Sequence, residues 1–207
     1  FALRRARKPT AVNVSHSSLE VTAYLASHAA ACGASLILVM PPHFYRYSAA
    51  QVESYYRALR AAVHPQVPLY LYRVPYFASD LSLAAAQRLL AEGHYAGLVD
   101  ASHDSSHLAS LGSSPGVKIL GNEAAWPTQR RFAHAVLSAC AAAIPELVAA
   151  LDRAFLAADA ARINLLLQRL AEFTAWIDRF PVPFGFMEAA RLRGLPVHPD
   201  PTWLADA

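Results

Sequence analysis

Val67-Pro-Leu-Tyr-Leu-Tyr-Arg-Val-Pro75 and Tyr95-Ala-Gly-Leu-Val-Asp-Ala-Ser102 are two apolar runs rich in aromatic and β-branched residues. They flank Leu81–Ala91, whose apolar residues recur at helical spacing, so 67–102 reads as a βαβ unit with neighbouring parallel strands. Polar groups fall at the ends of both runs: Tyr72 and Arg73 on the first, Asp100 and Ser102 on the second. In α/β folds ligands sit at the carboxyl ends of parallel strands, which makes these residues candidates for a site.

The same pattern repeats outward. Thr10–Val14 reads as a short strand, and Ser15–Ser18 as a turn that caps a helix over Leu19–Cys32, stopped at Gly33. Ser35–Met40 is a continuous apolar run suited to a strand buried on both faces. Ser48 is the expected cap of a helix over Ala49–Val63. Strands are expected at Val117–Gly121 and His134–Cys140, with a short helical segment at Thr128–Phe132 between them. Helices are expected over Pro145–Ala157, Ala160–Arg179 and Pro183–Arg193, with Pro145 as a first helical residue. Phe1–Arg7 reads as a helix end before Pro9, and Val197–Ala207 as an irregular, proline-rich tail.

The 207 residues, 55% hydrophobic and 16% charged, suit a well-buried fold rather than a disordered chain. A net charge of +3 with scattered basic residues, apart from Arg4–Lys8, gives no nucleic-acid footprint. Apolar runs are broken well short of the ~20 residues that a membrane span needs, and no secretory signal opens the chain. The two cysteines, Cys32 and Cys140, read as isolated buried thiols on a helix and a strand, which fits a reducing cytoplasm. His103 and His107 lie four apart, so one helix face would hold both as some metal sites require, but no third ligand is fixed by spacing and no metal is assigned.

Tyr72-Arg-Val-Pro75 resembles the Tyr-Asn-x-Pro signature of the dihydrodipicolinate synthase and N-acetylneuraminate lyase family. Gly97-Leu-Val-Asp-Ala-Ser102 resembles its Gly-Ile-Lys-x-x-Ser run, with Val99 standing where the family carries its Schiff-base lysine. Gly33–Pro42, the segment from Ala135 through Leu147, and Pro181–Ala190 are similar to the family's fourth strand, its eighth strand with the following helix, and its C-terminal helices. The resemblance implies an α/β fold, a (β/α)8 TIM barrel with extra C-terminal helices. Residues 1–144 would supply barrel strands three to eight, and 145–207 the last barrel helix and the C-terminal helical region. The family's first two strands do not appear in the chain. Because six strands cannot close an eight-stranded barrel, polypeptide before Phe1 or from another chain is expected to complete it.

The resemblance implies a catalytic role for Tyr72 and, for Tyr45, a role in a neighbouring subunit's site, Phe44 being the match if the alignment slips by one. Homo-oligomers, dimers or tetramers, follow from it. Arg73 replaces the family's asparagine and is a candidate carboxylate ligand. Phe77 falls where synthases carry a substrate-binding arginine. Glu123 is a candidate general base at a strand end, and Asn122, Asp100, Ser102, Ser138 and His43 are candidate substrate-binding groups. Valine cannot form a Schiff base, and the chain holds two lysines, Lys8 and Lys118. Three readings follow. The first is a lyase-family enzyme, needing no cofactor, that acts on a small 2-oxo acid or related carboxylate without covalent attachment. The second is a catalytically silent relative that binds a ligand or serves as a regulatory or structural subunit. The third is a Schiff-base lyase using Lys118.

Overall fold

The computed structural model describes residues 6–104 and 106–197. The expected helix end at Phe1–Arg7 and the tail beyond Val197 fall largely outside them. The chain divides into two compact units, Phe1–Leu137 and Ser138–Ala207.

Among the described residues of the first unit, six strands form one parallel sheet in sequence order. They are β1 (Ala11–Asn13), β2 (Leu36–Val39), β3 (Leu69–Arg73), β4 (Gly97–Asp100), β5 (Val117–Leu120) and β6 (Ala135–Val136). Helices α1 (Leu19–Ala31), α2 (Ala49–Ala62), α3 (Leu83–Ala91), α4 (His107–Ser110) and α5 (Trp126–Gln129) connect them. The βαβ stretch holds as read, with Tyr72 opposite Val99 and Arg73 opposite Asp100 across β3 and β4.

Side chains alternate along each strand, so each face of the sheet has its own membership. Leu38, Tyr70, Val99 and Ile119 pack together, with Leu36, Tyr72 and Ala135 against them, and form the inner face. The other parity places Ile37, Leu71, Arg73, Leu98, Asp100, Lys118 and Leu120 on the opposite, helix-covered face. Gly97 belongs to the inner row. A Cβ there would lie 2.2 Å from the Val117 carbonyl oxygen and 2.7 Å from Tyr70 Cε1, so only glycine admits both the β5 backbone and the Tyr70 ring.

Local signals explain the helices. The Ser48 side chain accepts from the Gln51 amide while the Gln51 side chain accepts from the Ser48 amide, a complete capping box. Ser18 and Ser82 cap α1 and α3. Helix α2 is pinned through hydroxyls, since Tyr56 donates to the Val39 carbonyl (2.9 Å) and Tyr95 to the Tyr56 carbonyl (2.7 Å). Buried Arg60 donates to the carbonyls of Val63, His64, Val67 and His94, closing the path from α2 into β3.

Two expectations are corrected. Strand β6 spans two residues rather than His134–Cys140. Its pairing runs from His134 N on Lys118 O to Leu137 N on Leu120 O and stops where β5 stops. Cys140 consequently lies buried in a 3-10 turn, while Cys32 is half-buried at the end of α1. The short helical segment expected near Thr128–Phe132 is present and starts earlier: a 3-10 turn at Glu123–Ala125 leads into α5, and a second turn covers Arg130–Phe132.

The second unit holds α6 (Pro145–Leu156), α7 (Ala160–Ile177) and α8 (Phe184–Leu192). Asp159 caps α7 by accepting from the Arg162 amide (3.0 Å). Gly185 lets α8 approach α7 closely, since a Cβ would lie 2.6 Å from the Ile177 carbonyl oxygen. Among the described residues no helix is long and apolar enough to cross a membrane.

Candidate active site

The inner row of the sheet brings Tyr72 and Val99 side by side on adjacent strands. Glu123 follows in the turn after β5, and its carboxylate acts electrostatically on Tyr72. Burial first, and the Glu123 charge second, push the Tyr72 hydroxyl above its usual range. A phenol so placed stays protonated at neutral pH and is equipped to donate a proton.

Strand parity separates Arg73 and Asp100 from that pair. Arg73 is 7% exposed and lies on the helix-covered face. Its Nε and one terminal nitrogen donate to Asp80 (2.8 and 3.1 Å), and the other donates to Ser102 Oγ (2.6 Å). Asp104 lies 3.8 Å away. Asp100 is 2% exposed and accepts from the Ser102 amide (2.9 Å), with Arg73 at 3.5 Å and His107 Nδ1 at 2.9 Å. Burial alone would raise the Asp100 carboxyl. The bonds from His107 and Ser102 outweigh it and hold the group below its ordinary range. These residues form a network, buried at Arg73, Asp100, Ser102 and His107 and open to solvent at Asp80 and Asp104, that ties the turns after β3 and β4 to the sheet.

Asn122 joins the same network. Its amide nitrogen donates to the Ser102 carbonyl (2.8 Å) and its oxygen accepts from the Ala124 amide (3.0 Å). His103 and His107 do not share a helix face, because α4 starts at His107. His107 is buried against Asp100, whereas His103 is exposed with its ring edge-on to Tyr76, centroids 4.9 Å apart. Among the described residues no three His, Cys, Asp or Glu side chains gather as a metal site would require.

Lys118 lies on the helix-covered face opposite Leu98, and its Nζ donates to the Gly112 carbonyl at 2.6 Å. Tyr45 is 67% exposed beside Phe44 and lines a cavity of about 180 Å³ with His43, Tyr76 and Phe77. The His43 carbonyl accepts from Ser17 Oγ (2.8 Å). Ser138 opens the second unit, where its carbonyl accepts from the Ala141 amide. Asp100, Ser102, Asp104 and His107 are recognisable in the sequence as a polar cluster after the strand, whereas the clamp of Asp80 on Arg73 is not signalled by local spacing.

The model of the dihydrodipicolinate synthetase family matches residues 7–203. The chain belongs to that family. Among relatives of this dihydrodipicolinate synthetase family member, an uncharacterised DapA-like lyase of Halobacterium salinarum is 29% identical over 195 residues, 92% of this chain and 64% of the relative. A 4-hydroxy-tetrahydrodipicolinate synthase of Methylobacterium radiotolerans is 27% identical over 169 residues, 79% of this chain and 56% of the relative. The chain thus spans less than two thirds of the length of these curated relatives. Solved structures share the fold. Dihydrodipicolinate synthase from Bacteroides thetaiotaomicron superposes with a TM-score of 0.83 at 22% identity, covering 94% of this chain and 69% of that one. A prophage protein of the same family from E. coli K12, in complex with pyruvate, gives 0.84 at 23%, covering 97% and 73%. The fold of this family member is accordingly α/β and TIM-barrel-like.

Proposed function

We propose that this family member acts on a small 2-oxo acid or related carboxylate without a lysine Schiff base. The observation that carries the reading is Val99, a hydrocarbon side chain beside Tyr72 on the inner face, at the position that resembles the family's reactive lysine. The pyruvate held by the E. coli relative supports the substrate class. An iminium stores the electron pair released when a carbon–carbon bond breaks, and without an amine that sink is gone. Elimination of water from a hydroxylated 2-oxo acid needs no such sink beyond the substrate's own carbonyl. In that step Glu123 removes the proton next to the carbonyl and the carbon–oxygen bond breaks. Tyr72 protonates the departing hydroxide, water leaves, and the proton on Glu123 returns to Tyr72 through solvent. The protonated state of the Tyr72 hydroxyl supports its part as the acid.

The silent, ligand-binding reading draws on the same valine. The Lys118 reading loses support, because its amine lies on the other face of the sheet and bonds the Gly112 carbonyl. Tyr45 and the aromatic loop around it support self-association through this face, and a content of two cysteines supports a reducing compartment, the cytoplasm.

Pyruvate with borohydride tests covalent attachment, and no adduct is expected on the parent protein. A turnover screen for lyase, hydratase and cyclase reactions, run beside Tyr72→Phe, tests catalysis. A fall of about 10²-fold or more in the variant is expected. An adduct on Lys118 would replace this reading with the Schiff-base one, and binding without turnover would replace it with the silent one.

A further inference from the structure

Both ends of the Asn122 amide are engaged by backbone, which sets it apart from a group that awaits substrate. The bond to the Ser102 carbonyl crosses from the end of β5 to the turn after β4. The bond from the Ala124 amide closes the first turn of the 3-10 segment Glu123–Ala125. Ser102 is itself fixed, since its Oγ accepts from Arg73 and from the Asp104 amide (3.2 Å), and Asp80 clamps Arg73 from the far side. A hydrogen-bonded chain therefore runs from Asp80 through Arg73, Ser102 and Asn122 to Ala124, and Glu123 lies between its last two members.

The backbone has little other freedom at this point. A Cβ on Gly121 would already lie 3.0 Å from Ala101 Cβ, so the end of β5 is packed directly on the turn after β4. Asn122 is extended (φ −133°, ψ 118°) and the 3-10 turn begins at the next residue. The direction in which Glu123 leaves the strand is set at this single bend, which the Asn122 side chain braces on both sides.

We propose that Asn122 is a positioning residue: by bridging the Ser102 carbonyl and the Ala124 amide it fixes the turn that carries Glu123 beside Tyr72. The inference rests on the Tyr72–Glu123 site proposed above and reassigns Asn122 from substrate contact to alignment. The outward-facing network behind β3, β4 and β5 is thereby coupled to the inward-facing pair.

The test reads Tyr72 rather than turnover. Ionisation of Tyr72 is followed by NMR of protein labelled with ¹³Cζ-tyrosine, the signal being assigned by its loss in Tyr72→Phe. Glu123→Gln removes the neighbouring charge and is expected to lower the ionisation pH of Tyr72 by about half a unit. Asn122→Ala is expected to reproduce at least half of that fall with the other eight tyrosine signals unmoved. Asn122→Ser keeps an acceptor for the Ala124 amide but cannot reach Ser102; it is expected to shift Tyr72 in the same direction and supplies the readout should the alanine variant not fold. Tyr72 titrating as in the parent in both Asn122 variants would overturn the proposal, and so would a Glu123→Gln protein in which Tyr72 does not move. An inactive protein can pass this test and an active one can fail it, so its outcome is separate from that of the turnover screen.

Discussion

Val99 is 1% exposed, boxed in by Leu38, Tyr70 and Ile119 and flanked by Tyr72. An amine introduced there would lose most of its water, which disfavours the ammonium form and leaves a nucleophile at neutral pH. Val99→Lys is therefore expected to gain a pyruvate adduct that borohydride traps and intact mass detects, where the parent gains none. No adduct on the folded variant would show that the inner face at this position is closed to ligand. The proximity of Tyr72 and Val99 was legible in the sequence because register-matched βαβ strands bring such positions together. The separation of Tyr72 from Arg73 was not. Neighbours in a signature need not be neighbours at the mouth, because a period of two sends them to opposite faces. Arg73 meets partners between seven and 31 residues away, Asp80 and Asp104 among them, and no local spacing announces such a cluster.

The turns after β3 and β4 owe their placement to one buried set of charges, which makes them sensitive to acid. The Asp100 carboxyl is held below its ordinary value in the folded protein. Its contribution to stability is present above the unfolded value, near 3.8, and is lost as pH falls through the lower folded value. Asp100→Asn is expected to cost about 3 kcal/mol at neutral pH, since it leaves Arg73 and His107 short of a buried partner. The same change flattens the acid limb, so parent and variant draw together as the pH falls from 3.8 through the lower folded value. Urea midpoints at a series of pH values check both, and equal midpoints at pH 7 would contradict the assignment. At this scale the strand starts were readable from apolar runs and turn residues. The end of β6 was not, because a strand stops where its neighbour stops, and that depends on β5 rather than on His134–Cys140.

Across the whole molecule, the sheet of the first unit has two strands with a neighbour on one side only among the described residues, β1 and β6. Phe44, Tyr45, Tyr76 and Phe77 add an exposed aromatic surface at 87, 67, 58 and 71% accessibility. If that surface joins two copies, Tyr45→Arg is expected to halve the mass seen by sedimentation while leaving the circular dichroism spectrum unchanged. An unchanged mass would remove Tyr45 from any shared site. The alternation of the sheet has one more consequence. Positions of one parity, 70, 72, 99 and 119, face the centre, and positions of the other, 71, 73, 98, 100 and 118, carry the anchoring contacts. On the reading proposed above, what the protein works on and what anchors its turns are written on alternate letters of the same words, and the inward letters carry a packed core as well, so a library confined to them has to keep their volume.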